Sequence, residues 1–318
     1  MISIRTTLIL GAGASVPYNY PIGRALVERI QNRESISGSG PLHQFGFDHE
    51  QFCELQEVLR FGAFDSIDAM LGMPQYANLK DVGRLAIAHE LLYGQTERNL
   101  WIEPNKWHGH LVQRMCDGCQ SLEEFAHNKL NVITFNYDLS LEHSMFLAIS
   151  QRFRSNTPGE IADALMRAMP VIHVHGHLGH LPWMSLDPSR SRSYGGCSDA
   201  DDLRRAASGI IIISEAVDDT PEFETARTRI DEAEQIFILG FGYHSDNVKR
   251  LQIPFAGTPN FKPERYIVGA SLLNGNREMN RIHPLFQGSP RIQFTSHDAS
   301  WALRESGRFW SDDLESGL

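Results

Sequence analysis

Residues 7–15 constrain the fold more than any other stretch of the chain. Leu8-Ile9-Leu10 is a short apolar run that reads as a buried strand, and it empties straight into Gly11-Ala12-Gly13-Ala14-Ser15. Glycine at such a turn adopts backbone torsions barred to other residues and lets a phosphate approach bare amide N–H groups. A strand, a glycine-rich turn and then a helical stretch from Ile22 to Ile30 is an arrangement that can hold the pyrophosphate of a dinucleotide. The full G-x-G-x-x-G spacing is absent, because Val16 and Pro17 follow Ser15.

The rest of the chain repeats the strand-then-helix alternation. Asn131–Asn136, Val171–His175, Gly209–Ser214 and Gln235–Gly240 read as further buried strands, with Arg265–Ala270 and Arg291–Thr295 as two more. Unbroken runs such as Ile210-Ile211-Ile212-Ile213 suit strands covered on both faces, as in a parallel sheet. Between them lie helix starts. Thr157-Pro158-Gly159-Glu160 resembles a capping box with proline at the first helical position. Thr220-Pro221-Glu222 opens a helix with Phe223, Ala226, Ile230 and Ala233 at core-facing spacing, and Ser245-Asp246-Asn247 reads as the cap of another. The fold class this implies is α/β: a doubly wound parallel sheet of the Rossmann-like kind with a helical insertion. Residues 1–33 form its first part, 34–128 the insertion, and 129–318 the remainder. The insertion opens with a Ser/Gly-rich loop, Ser35 to Pro41, and continues as helices over Glu50–Phe61, Ser66–Met73 and Leu79–Tyr93. A long loop at about 181–208 carries Pro182, Pro188, Gly195 and Gly196, and loops of that length are usually functional or mobile.

Composition removes several function classes. In 318 residues, 42% are hydrophobic and 21% charged, so a sizeable core is available. The formal charge of −10 argues against sequence-independent binding to nucleic acid or to an anionic membrane surface. Arg190, Arg192, Arg204 and Arg205 are interleaved with Asp187, Asp199, Asp201 and Asp202, and that stretch reads as a solvated loop. No apolar run is long enough to span a bilayer, and the first is too short for a signal peptide. Four cysteines, at 53, 116, 119 and 197, do not make a secreted disulfide framework in a chain of this size. The expectation is a cytoplasmic protein.

Two more segments carry chemistry. In Val132-Ile133-Thr134-Phe135-Asn136-Tyr137-Asp138 an apolar strand ends in an amide and then a carboxylate, at the carboxyl end where ligands bind in open α/β sheets. Asn136 and Asp138 equally suit capping of the next helix near Leu139. In Val171-Ile172-His173-Val174-His175-Gly176-His177 the histidines recur at every second residue, which places them on one face if the strand persists. Three readings stand side by side: a His-x-His metal site, one acid/base histidine placed by the Gly176 turn, or satisfied histidines in a polar loop.

Taken in order, Gly11-Ala12-Gly13-Ala14-Ser15 with Pro21 downstream, Thr134-Phe135-Asn136-Tyr137-Asp138, His175-Gly176 and Ile238-Leu239-Gly240-Phe241-Gly242 resemble the motifs that build the NAD site of sirtuins. The likeness is nearest to the sirtuin-like NAD hydrolases of prokaryotic antiphage defence, and it covers residues 1–33 and about 129–300. The resemblance implies an acid/base role for His175 near the nicotinamide ribose and a ribose or water contact for Asn136. It implies that Asp138 holds the carboxamide. Gly11, Ala12, Gly13, Ala14, Ser15 and Pro21 would line the dinucleotide, with amides on the phosphates, and Gly240 and Gly242 would approach its adenosine side. NAD enters as the substrate and no metal is expected.

The chain departs from deacylating sirtuins in one respect that bears on activity. Those enzymes carry two Cys-x-x-Cys pairs after the His-Gly motif, whereas here only Cys197 follows it. The pair Cys116-Asp117-Gly118-Cys119 precedes the Asn-Asp motif, and with His108 and His110 nearby it reads as a turn bearing two thiols rather than a zinc site. Hydrolysis of NAD is therefore the leading expectation. The alternatives are protein deacylation or ADP-ribosyl transfer, a non-catalytic NAD or ADP-ribose sensor, and, last, a metal hydrolase using His173 and His175. An enzyme that destroys NAD needs control. With little sequence beyond residue 300 to hold an effector domain, control is expected through self-association or in trans. Family likeness suggests a HerA-type ATPase or a short Argonaute as partner. Phe61, Phe64, Leu71 and Met73 are the candidate apolar patch for a homo-oligomer, with core packing as their other reading.

Overall fold

The computed structural model describes residues 1–33, 45–101, 106–185, 187, 189–196, 199–212, 220–255, 257–271, 280, 282–287 and 289–305. Six strands form one parallel sheet: β1 (Thr6–Leu10), β2 (Leu130–Thr134), β3 (Val171–His173), β4 (Gln235–Leu239), β5 (Tyr266–Ala270) and β6 (Ile292–Thr295). Their order, β3-β2-β1-β4-β5-β6, is that of the doubly wound Rossmann-like fold, with the topological switch point between β1 and β4. Leu10 lies level with Thr134 of β2 and with Leu239 of β4. The residues that follow these three strands, Gly11, Phe135 and Gly240, therefore emerge side by side.

Side chains alternate across the pleat, which divides the core in two. Leu8, Leu10, Val132, Phe237 and Leu239 face a layer containing α1 (Gly23–Gln31), α4 (Lys80–Tyr93), α5 (Trp107–Cys116), α7 (Ser140–Arg152) and α12 (Ala299–Glu305). Ile9, Ile133, Ile236 and Ile238 face α10 (Pro221–Glu232) and α11 (Ser245–Leu251). Between α1 and β2 the described residues also form α2 (His49–Phe61), α3 (Ile67–Leu71) and α6 (Leu122–Phe125), which join the first of these two core layers. Before β3, α8 (Pro158–Ala168) begins with the Thr157–Glu160 capping box, and after it α9 (Ala200–Ser208) is capped by Asp199, which accepts from the amide of Asp202. Thr220 caps α10 by accepting from the amide of Phe223. No helix among the described residues is long and apolar enough to cross a membrane.

Five local expectations change. Gly209–Ser214 is not a strand where it is described: Ile210 makes a single antiparallel bridge to Gly176, and residues 213 and 214 lie outside the described residues, as do Ser35 to Pro41, Pro188 and Cys197. Burial alternates there, with Ile210 and Ile212 inside and Ile211 38% exposed, because only one side of the segment meets the protein. The stretch 181–208 is not loop throughout, since α9 occupies its end. Within it Arg192 is buried rather than solvated, donating to the carbonyls of Leu178 and Ser193 and to Oε1 of Gln95. The residue capping α11 is His244, without a side-chain cap bond. Of the four residues proposed as an apolar patch, Leu71 is fully buried and Phe64 packs against the core, which leaves Phe61 and Met73 exposed.

Candidate active site

The loops after β1 and β4 meet backbone to backbone. Gly11 N–H donates to Leu239 O at 3.0 Å and Gly13 N–H to Gly240 O at 3.0 Å, while Ala14 N–H closes back on Gly11 O at 2.9 Å. A Cβ on Gly240, where φ is +61°, would sit 2.1 Å from the amide nitrogen of Ala14. Glycine here serves close approach and a left-handed torsion together. These bonds correct one expectation: the amides of Gly11, Gly13 and Ala14 already face protein carbonyls rather than standing bare for phosphates. Ala12 and Gly242 are exposed at the switch point, and Pro21 lies half-buried between the 3-10 turn Ala12–Tyr18 and α1. From the helical layer, Trp107 Nε1–H donates to Ala14 O at 2.8 Å and pins the turn from behind.

Asn136 and Asp138 lock onto the same turn. Asn136 donates from Nδ2 to Gly11 O at 3.0 Å and to Ser15 Oγ at 2.9 Å, and Ser15 donates to Asp138 Oδ2 at 2.7 Å. Asp138 Oδ1 accepts from the amide of Ser140 at 3.1 Å and from its hydroxyl. Both oxygens of Asp138 are thus engaged within the protein, one of them at the first residue of α7, so the capping reading holds in part. Burial lifts its carboxyl above the ordinary value, against the hydrogen bonds from Ser140 and Ser15. Asn136 Oδ1 is buried and has no partner.

The three histidines do not share a face. β3 ends at His173 and the chain turns at Gly176, where φ is +72° and a Cβ would lie 2.0 Å from Gly209 O. His173 points towards α7, with Nε2 2.6 Å from Oε1 of Glu142, and its ring lies 5.1 Å from that of His177. His175 instead packs its ring against Phe135 (centroids 5.4 Å apart) and Phe223 of α10 (5.7 Å). It is 1% exposed, and neither ring nitrogen has a hydrogen-bond partner. Burial, with Arg250 adding to it, pushes its pKa down to about 4, so the ring is neutral at physiological pH. His177 is also held down to about 4, by burial first and then by His173, and its Nδ1 donates to Gly179 O. Among the described residues no group of three or more His, Cys, Asp or Glu is placed to hold a metal ion.

Asn136 and His175 therefore stand at the carboxyl ends of neighbouring strands, joined through Phe135, and make no hydrogen bond to each other. Asn136 leans towards the glycine turn and His175 towards α10. A cleft of about 560 Å³ runs along the outer edge of β3, lined by His173, His177, Trp183 and Met166, and neither Asn136 nor His175 lines it. The loop aromatics act as anchors: Trp183 stacks on Phe146 at 4.7 Å, and Tyr194 stacks on His143 while sharing a 2.9 Å hydrogen bond with Tyr20. Sequence reasoning missed Glu142, Ser140 and Trp107, and read Phe223 as a core position of α10 without placing it against His175. Only Glu142, one helical turn beyond Asp138, carries a local signal.

No protein-family model and no curated protein matches the sequence. A solved structure, Sir2Tm bound to a propionylated peptide, is similar at 14% identity over 96% of this chain and 94% of that one, with a TM-score of 0.39.

Proposed function

We propose that the chain is an NAD glycohydrolase, splitting NAD and water into nicotinamide, ADP-ribose and a proton. The observation that carries this reading is the pair of unpartnered buried groups, Asn136 Oδ1 and the His175 imidazole, just past the carboxyl ends of the adjacent strands β2 and β3. Buried polar atoms in a folded protein are nearly always satisfied, so unpaired ones at two neighbouring strand ends suit a polar ligand. The order of the four motifs supports NAD as that ligand.

In the reaction the C1′–N bond breaks, the pair of electrons leaves with neutral nicotinamide, and positive charge develops on the ribose as in other glycoside cleavages. Water attacks C1′ and loses a proton. Asn136 Oδ1 is an acceptor that orients a water or ribose hydroxyl, and the neutral His175 ring can take up the proton. Asp138 acts one step back, holding Ser15 and through it the Asn136 amide. His175 is closed off in the free chain, so α10 must shift for substrate to reach it. That fits an effector of antiphage defence activated by self-association or by a partner such as a HerA-type ATPase or a short Argonaute. One observation favours an acceptor other than water, namely the open cleft beside His177, and deacylation or ADP-ribosyl transfer is the runner-up.

The test is incubation of the full chain with NAD over a range of protein concentrations, with products separated by chromatography. Equal amounts of nicotinamide and ADP-ribose are expected, lost in Asn136→Ala and His175→Ala. No nicotinamide at any concentration, or release undiminished in both variants, would overturn the proposal. Release that needs an added acyl-peptide would favour the runner-up.

A further inference from the structure

Asn136 is held at every polar atom but one. Its amide N–H donates to Thr134 Oγ1 at 3.0 Å, its Nδ2 is engaged by Gly11 O and Ser15 Oγ, and its carbonyl oxygen lies 2.9 Å from Nδ1 of His173. A carbonyl oxygen only accepts, so His173 Nδ1 must carry the hydrogen. The same logic fixes the side-chain amide, because Gly11 O demands the Nδ2 end. The free atom is then Oδ1, which recognises an O–H donor and not a phosphate or carbonyl oxygen. On its other side His173 meets Glu142 Oε1 at 2.6 Å, with both side chains buried. Neither residue is itself assigned above to substrate, and His173 meets Asn136 at the backbone carbonyl, away from Oδ1.

We propose that Glu142 and His173 are a positioning pair: Glu142 holds the imidazole, and the imidazole fixes the Asn136 peptide so that Oδ1 stays presented to a hydroxyl or water. This rests on the NAD-cleaving reading for its consequence in catalysis, but not for its geometry. The charged and titratable groups around His173 are Glu142 from α7, Asp138 from the turn before it, and His177 from the turn after β3, with His180 stacked edge-on beyond His177. Burial works against a charged ring, yet Glu142, the Asn136 carbonyl and Asp138 together hold His173 above its ordinary value.

The test compares His173→Phe, Glu142→Gln and, as a control on the cleft wall, Met166→Ala. The first readout needs no activity: exchange of the Asn136 side-chain amide protons with solvent, followed by nitrogen-15 NMR. Slow exchange is expected in the native chain and in Met166→Ala, intermediate exchange in Glu142→Gln, and exchange at least roughly tenfold faster in His173→Phe, as expected once a fixed hydrogen bond is loosened. The second is nicotinamide release, where His173→Phe should lower kcat on the order of 100-fold with little change in KM, the scale of a misplaced reacting group. Native-like amide protection and kcat in His173→Phe would overturn the proposal. If that variant does not fold, the ring shifts of the native chain and Glu142→Gln decide: Nδ1 protonated in both supports the pair, and a bare native Nδ1 refutes it. A chain that shows the protection pattern but releases no nicotinamide would sink the NAD reading and leave the pair standing.

Discussion

Replacing His175 with phenylalanine should stabilise the free protein, increasingly so in acid. The ring is sealed between Phe135 and Phe223 with both nitrogens unpartnered, and a buried unsatisfied polar group costs about 1–3 kcal/mol. Burial also depresses its pKa from 6.5 to about 4. Between those values the unfolded chain binds a proton that the folded chain refuses. Stability present above pH 6.5 is therefore lost as the pH falls towards 4. With a shift of that size the loss is about 2.5 kcal/mol at a pH of about 4.5, and near zero at a pH of about 7.5. His177 titrates in the same window, but it is common to both proteins and cancels in the difference. Urea denaturation of native chain and His175→Phe at the two pH values gives the quantity directly. The variant should match or exceed the native chain near neutrality and gain on it by about 2.5 kcal/mol in acid. A difference that stays constant with pH would show that His175 is not a neutral ring sealed in the core.

Three further outcomes follow from the same geometry. Gly240→Ala places a Cβ 2.1 Å from Ala14 N at a φ of +61° and should cost at least about 2 kcal/mol, read as a lowered melting temperature; a shift worth less than about 0.5 kcal/mol would contradict the packing described. Trp107→Phe removes the 2.8 Å bond to Ala14 O and should cost about 1–2 kcal/mol, with faster amide exchange across residues 12–18; unchanged exchange would argue that the turn holds itself. If His175 is the proton acceptor, the acid limb of kcat/KM should fall near pH 4 rather than 6.5, since the ring stays neutral down to about that value. An acid limb at 6.5 would assign the proton to another group.

The sheet was legible because strands buried on both faces announce themselves as apolar runs, as in Ile236 to Leu239. The same rule misread the described part of Gly209–Ser214, residues 209–212, where Ile210, Ile211 and Ile212 serve a one-sided segment that pairs with the His175–His177 turn through Gly209 O and Ile211 N. Alternation told where His173, His175 and His177 would point only for as long as the strand lasted. It ends at His173, and the Gly176 turn sends His175 to the α10 side, a consequence of a close approach to Gly209 that no local spacing encodes. The positions of Asn136 and Asp138 just past β2 could be read, but their partners could not. Ser15 lies 123 residues from Asp138 and Trp107 lies 93 from Ala14, and such contacts exist only once the sheet has assembled. Arg192 shows the converse: charged residues interleaved with aspartates look solvated, yet three waiting acceptors draw its guanidinium inside.

The most direct measurement is an NMR titration of the chain with an NAD analogue whose ribose ring oxygen is replaced by carbon, which cannot form the charged intermediate. The Asn136 side-chain amide and the His175 ring signals should move together along one saturating curve. Saturable binding that leaves both unmoved, or no binding at all, would contradict the NAD reading.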